Sequence, residues 1–176
     1  MGKLTFILGG ARSGKSRFAN ELAEKHKSVL YIATYRRCAG DKEMEERVKK
    51  HKENRPRTWK VIEEPVDLCS VIKKYGGKYK VVLIDCITLW VSNLMLSGKN
   101  ADGISLSACK LVSAVKKVCP VSILVSNEVG LGVVPDTKMG RKFRDIAGSV
   151  NQAIAQSADA VYFMVAGIPL VIKELK

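Results

Sequence analysis

No apolar run in this 176-residue chain approaches the roughly 18 residues that a membrane-spanning helix requires. The first run, Leu4 to Leu8, stops at Gly9 after five residues, too short for a signal peptide. Myristoylation after the Met1-Gly2 start would need Ser or Thr at position 6, where Phe6 stands. A cytoplasmic location is therefore expected. Paired cysteines are also missing. The five present (Cys38, Cys69, Cys86, Cys109 and Cys119) are odd in number and form no CxxC pair, which argues against a disulfide framework and a zinc site. Most are expected to be small buried apolar residues. Aromatic residues make up only 6%, and no basic segment is interleaved with aromatics, which speaks against stacking of nucleic-acid bases. There is no internal repeat or low-complexity linker, so residues 1–176 are expected to form one nucleotide-binding catalytic domain.

Positive charge is abundant. Thirty Lys and Arg against seventeen Asp and Glu give a net charge of +13, which attracts polyanions without choosing among nucleotides, nucleic acid and anionic membrane. The densest cluster, 36–60, is interleaved with Asp41, Glu43, Glu45, Glu46 and Glu53, as on a solvated charged face.

The segment with most chemical content is GGARSGKS, residues 9–16, which matches the phosphate-loop pattern GxxxxGKS. Gly9 and Gly14 admit backbone angles that let successive N–H groups point at one phosphate, with Gly10, Ala11, Arg12 and Ser13 completing the cradle. Lys15 is spaced to reach the β- and γ-phosphates, and the Ser16 hydroxyl to ligate Mg²⁺. The flanks agree. Lys3 to Leu8 reads as a strand, and Lys15 to His26 as a helix with Phe18, Ala19, Leu22 and Ala23 on one stripe, its N-terminus adding positive potential at the anion site.

Further along, Ser28 to Thr34 reads as a strand buried on both faces, delivering Thr34, Tyr35 and Arg36 to the carboxyl edge where open α/β sheets bind ligands. Residues 41–53 read as a helix whose only apolar residues are Met44 and Val48, a thin stripe that predicts a loosely held element. His51 lies near its end, and Asn54 and Pro56 stop it. Thr58 to Glu63 predicts a strand, and a helix is expected from near Pro65 to Gly76-Gly77 with Leu68, Val71, Ile72 and Tyr75 inward. Lys80 to Asp85 is a buried strand delivering a carboxylate beside the phosphate loop to support Mg²⁺, usually through water. Ile87 to Leu96 predicts a buried helix, 97–103 a loop, Ile104 to Val118 a helix, Val121 to Ser126 a strand ending at Asn127-Glu128, and Met139 to Ser157 a helix. Gly130 and Gly132 do not make a dinucleotide fingerprint, because no third glycine opens a helix at the required place. Ala160 to Val165 and, after a Gly-Ile-Pro turn, Leu170 to Lys173 predict the last two strands. Strands alternating with helices predict an α/β P-loop NTPase with a mostly parallel sheet covered on both faces.

GGARSGKS, VLYIATYR, RVKKHKENRPRTW, VLIDCITLWVSNL and NEVGLGVVPDTKMGRKFRDIAGSVNQ together resemble the bifunctional adenosylcobinamide kinase and adenosylcobinamide-phosphate guanylyltransferase family, over nearly the whole chain. HKENRPRTW and FRDIAGSVNQ are the most specific parts. The resemblance implies a RecA-like fold, a homotrimer, and ATP and GTP as substrates with Mg²⁺. It also implies two reactions: phosphorylation of the aminopropanol hydroxyl of adenosylcobinamide, then transfer of GMP from GTP, through a guanylylated histidine, to give adenosylcobinamide-GDP. The histidine of the family's HKxxRPxxW pattern aligns with His51. Residues 9–16, Thr34, Tyr35, Arg36, Lys52, Glu53, Asn54, Arg55, Glu63 and Asp85 fall where the family binds guanine nucleotide, and a position where some relatives carry a second histidine is Lys50 here. From the residues alone, a helix-end histidine that offsets the dipole is the favoured reading of His51, and only the resemblance reverses it. Two other readings are compatible with the phosphate loop: a simple small-molecule kinase, and a RecA-like nucleic-acid ATPase prompted by the charge.

Overall fold

The computed structural model describes residues 1–36, Glu46 and 55–174. Apart from Glu46, the helix expected over 41–53 lies outside the described residues, as do His51, Lys52, Glu53 and Asn54.

Among the described residues, seven strands form one sheet in the order β3-β2-β4-β5-β1-β6-β7. They are β1 (Lys3–Gly9), β2 (Val29–Ala33), β3 (Lys60–Glu63), β4 (Val81–Asp85), β5 (Val121–Asn127), β6 (Ala160–Val165) and β7 (Ile168–Glu174). The first six pair in parallel and β7 returns antiparallel along β6. Helices α1 (Lys15–Glu24), α2 (Leu68–Tyr75), α3 (Ile87–Leu96), α4 (Ala101–Val118) and α5 (Lys138–Ser157) cover its two faces.

The central strands are continuous Val, Leu and Ile runs because a parallel sheet between helices buries both faces. Alternation sends Leu30, Ile32, Val82, Ile84 and Leu124 into a core with α2–α5, and Tyr31, Leu83, Ile123 and Val125 into a second core with Ala19 and Ala23 of α1. Asp85 follows Leu83 by two residues, so it shares the α1 face, on which the phosphate loop also opens.

Three boundaries differ from expectation for an identifiable reason. Helix α2 begins at Leu68, three residues after Pro65, because the Asp67 carboxylate accepts the Ser70 N–H and serves as its cap. Helix α4 begins at Ala101 inside the expected loop, since the Asn100 side chain accepts the Gly103 N–H. The last strand starts at Ile168, so Ile168 and Pro169 lie in β7 while Ala166 and Gly167 make the turn, Pro169 being tolerated on an edge strand. Of the described cysteines, Cys86 and Cys119 are buried and Cys69 half-buried, as expected, whereas Cys109 is exposed on α4.

Candidate nucleotide site

Residues 9–14 run from β1 into α1 along the carboxyl edge of the sheet. A side chain at Gly9 would place its Cβ 2.6 Å from the Met164 carbonyl and 2.7 Å from Ser13 Oγ, so only glycine fits. Gly14 caps α1 at φ 92°, a left-handed conformation that favours glycine, and it offers no side chain to the helix. The first turn of α1 also lacks an acidic residue, so the helix presents its opening N–H groups and partial positive charge undiminished. The β6–β7 turn braces the loop from outside, with the Gly167 N–H donating to the Ser13 carbonyl at 3.0 Å.

Lys15 is buried, and its ammonium donates to the Gly10 carbonyl at 2.5 Å and to Ser13 Oγ at 3.4 Å. Burial lowers its pKa below the usual lysine value, while the Asp85 carboxylate acts the other way. Asp85 ends β4, two strands from β1, and both Asp85 and Ile7 register with Val125 of β5. Two inter-strand spacings put these backbones about 10 Å apart, a gap that a phosphate chain can span. Ser16 and Asp85 offer a hydroxyl and a carboxylate, hard oxygen donors that suit Mg²⁺. Among the described residues no group of three or more His, Cys, Asp or Glu gathers to hold a metal. Mg²⁺ bound here would therefore draw its remaining ligands from phosphate oxygens and water, as this ion commonly does.

The surroundings of Asp85 were harder to foresee. Tyr31 sits opposite Leu83 on the same face of the sheet, and its hydroxyl donates to Asp85 Oδ2 at 2.9 Å. Its ring stacks on Trp59 with centroids 6.3 Å apart, and the Arg55 guanidinium carbon lies 3.7 Å from the ring centre. Arg55 Nε and Nη1 and the Tyr35 hydroxyl are buried and have no hydrogen-bond partner among the described residues. Burial, then the charge of Asp85, pushes the Tyr31 pKa well above the usual tyrosine value, so the hydroxyl keeps its proton and remains a donor.

Thr34 is fully buried beneath this site. Its hydroxyl accepts the Cys86 N–H at 2.8 Å and donates to the Cys86 carbonyl at 2.7 Å, while its own carbonyl accepts from Asn93 Nδ2 at 2.8 Å. The Thr34 side chain thereby holds the Asp85–Cys86 junction from beneath. Burial pushes the Cys86 thiol up to about 12, so it stays neutral beside Lys15. Arg36 and Glu63 are exposed at the same sheet edge, Glu63 pairing in register with Ala33.

Beside β4, β5 ends in a further polar cluster. The Thr88 hydroxyl lies 3.0 Å from Ser126 Oγ and accepts the Asn127 N–H at 2.6 Å. Ser126 donates to Asn151 Oδ1 at 2.7 Å, and Asn151 Nδ2 donates to the Asn127 carbonyl at 3.2 Å. The next residue, Glu128, donates its N–H to the Gly9 carbonyl at 2.9 Å. Tyr31, Thr88, Asn93, Ser126 and Asn151 went unrecognised in the sequence. The available signal was a polar or phenolic group inside an otherwise aliphatic element.

The fold recurs in solved structures of other proteins. The chain superposes on an ATPase from the type III secretion system of pathogenic bacteria with a TM-score of 0.62 and 11% identity, covering 97% of this chain and 57% of that one. With the RadB recombinase the TM-score is 0.56 and the identity 13%, covering 92% and 73%. At such identities the likeness concerns the RecA-like fold alone. Sequence comparison is more specific. The chain is 43% identical over 170 residues to the bifunctional adenosylcobalamin biosynthesis protein CobP of Pseudomonas aeruginosa, covering 95% of each. It is 38% identical over 183 residues to the bifunctional adenosylcobalamin biosynthesis protein CobU of Escherichia coli K12, covering 97% of this chain and 99% of that protein. The family model for cobinamide kinase / cobinamide phosphate guanyltransferase matches residues 5–172, and with a complete phosphate loop and an opposed carboxylate in place, the chain belongs to that family of enzymes.

Proposed function

We propose that this enzyme phosphorylates adenosylcobinamide and then transfers GMP from GTP, by way of His51, to give adenosylcobinamide-GDP. The observation that carries the proposal is the pairing of Lys15 and the α1 N-terminus with Asp85 across the carboxyl edge, on a chain that matches the family from residue 5 to 172. In the kinase step, Lys15 and the loop N–H groups hold the β- and γ-phosphates of ATP or GTP while the acceptor hydroxyl attacks the γ-phosphorus in line. The P–O bond to the β-phosphate breaks, the hydroxyl loses its proton, and the nucleoside diphosphate leaves. Ser16 and Asp85 would hold Mg²⁺, which offsets charge on the phosphate oxygens.

In the second step a ring nitrogen of neutral His51 attacks the α-phosphorus of GTP. The bond to the bridging oxygen breaks, pyrophosphate departs, and the imidazolium gives up its proton, leaving a phosphoramidate. The new phosphate on the acceptor then displaces histidine and takes GMP. Arg55, with donors that no described residue uses, together with Tyr35, Arg36, Lys52, Glu53, Asn54 and Glu63, makes up the guanine-nucleotide side of the site. The enzyme acts in the cytoplasm as a homotrimer, with residues 1–176 as one catalytic domain. Among the described residues, no helix is long and apolar enough to cross a membrane.

A pair of variants tests the two chemistries. Lys15→Ala is expected to lose both reactions, whereas His51→Asn is expected to keep the kinase step and accumulate adenosylcobinamide phosphate. Loss of both reactions in His51→Asn would make His51 a structural or nucleotide-binding residue.

A further inference from the structure

The segment leaving β5 carries a second feature that the nucleotide chemistry does not use. Strand β5 lies between β4 and β1, so the chain that follows Asn127 emerges between Asp85 and the phosphate loop. Both ends of that segment are pinned. At its start, the Glu128 N–H donates to the Gly9 carbonyl and the Glu128 carboxylate accepts the Gly130 N–H. At its end, Arg141 Nη1 donates to the Pro135 and Asp136 carbonyls at 3.0 and 2.8 Å, and the Thr137 hydroxyl caps α5 by accepting the Gly140 N–H. Between these pins the side chains face water: Leu131 is 80% exposed, Val133 95% and Val134 55%, with Met139 at 63% in the first turn of α5. Single exposed apolar residues are ordinary, but four within nine residues on a tethered loop beside an active site mark a contact surface.

We propose that Leu131, Val133, Val134 and Met139 form the seat for the corrin macrocycle of the acceptor, an inference that rests on the functional reading above. The nucleotide's phosphates need cations and N–H donors, which these four apolar side chains do not supply. The acceptor instead carries a broad ring with extensive apolar surface, and its aminopropanol arm has to bring a hydroxyl to the γ-phosphate. A ring resting on 131–139 would lie at the carboxyl edge of the sheet, on the segment that follows the strand between Gly9 and Asp85 and is tied to Gly9 through Glu128. The pinned ends hold the loop in its binding conformation beforehand and reduce the ordering cost of capture.

The experiment compares the parent protein with the double variant Leu131→Ser, Val133→Ser, two highly exposed positions where folding is not at stake. Binding of adenosylcobinamide is followed in the dark by equilibrium dialysis, read from the corrin's own visible absorbance, with a non-hydrolysable GTP analogue present. GTP-analogue affinity and molecular mass by light scattering are measured in parallel. The expected result is a weakening of corrinoid binding by about tenfold or more, equivalent to ~1.4 kcal/mol, with nucleotide affinity and mass unchanged. Equal corrinoid affinity in the two proteins would overturn the seat and leave the functional reading standing. A drop in mass would show the loop to be a contact between copies of the chain, and a parallel loss of nucleotide affinity would make it part of the phosphate site; either overturns the proposal. A parent protein that binds the nucleotide analogue but no corrinoid would overturn the functional reading itself.

Discussion

At Tyr31 a protonated hydroxyl donates to one oxygen of Asp85, Oδ2, and so fixes how the carboxylate is turned. The residue therefore acts through Asp85, and its ring is in turn held by Trp59 and Arg55. Tyr31→Phe keeps the ring and removes the donor. A hydrogen bond to a charged group contributes about 1.5–3 kcal/mol; with about half of the lower figure passed on through the carboxylate, the Mg²⁺ concentration for half-maximal GTP binding is predicted to rise roughly threefold or more. A titration identical to that of the parent would show the bond to be incidental. Asp85→Asn is predicted to lower activity severely with little loss of fold stability, and an unchanged Mg²⁺ dependence would refute its role. Both predictions concern residues of different legibility. Asp85 was readable because a carboxylate ending an apolar strand next to a phosphate loop has few other uses. Tyr31 was not, because its partner lies 54 positions away and only strand register brings the two together.

Elements were predicted well where apolar periodicity alone decides them, as in β2, β4, α3 and α5, and less well where a cap decides them. Asn100 and Asp67 each move a helix start by three residues through one side-chain hydrogen bond, an effect that hydrophobic patterning does not register. Cross-element braces are similarly hidden. Asn93 on α3 donates to the carbonyls of both Thr34 and Pro65, tying the ends of β2 and β3 to the helix that follows Asp85. Asn93→Leu would leave two carbonyls without that donor, and about 2–4 kcal/mol of stability is predicted to be lost in denaturant unfolding. A midpoint equal to the parent's would mean that water replaces the amide without cost.

Over the whole molecule, the sheet order puts β5 between the two functional strands, and this topology was not derivable from element order alone. The same topology ties the start of β1 to the end of α5: Asp159 accepts the Leu4 N–H at 2.7 Å and pairs with Lys116 at 3.3 Å. Burial alone would raise the Asp159 pKa, but the Leu4 N–H and Lys116 outweigh it and hold the carboxyl below its ordinary value of 3.8. A depressed folded-state value contributes stability above pH 3.8 that is lost as pH falls through the folded value. Asp159→Asn is thus predicted to be less stable than the parent at pH 7, with the gap closing below pH 3.8; a gap independent of pH would assign the effect to packing. On the outer edge, Ile168, Leu170, Val171 and Ile172 of β7 are 49–64% exposed, a surface suited to burial between subunits of the proposed trimer. Light scattering is predicted to give the mass of three chains for the parent and a lower mass for Ile168→Lys, Ile172→Lys.

On the proposed reading a single site performs both a phosphoryl transfer and, through His51, a guanylyl transfer. The most direct test of that reading is intact-mass measurement after incubation with GTP and Mg²⁺, for the parent and for His51→Asn. The parent is expected to gain the mass of one guanylyl group through a bond that acid breaks and alkali spares, while the variant gains nothing. An adduct of equal yield in the variant, or one stable to acid, would contradict the reading.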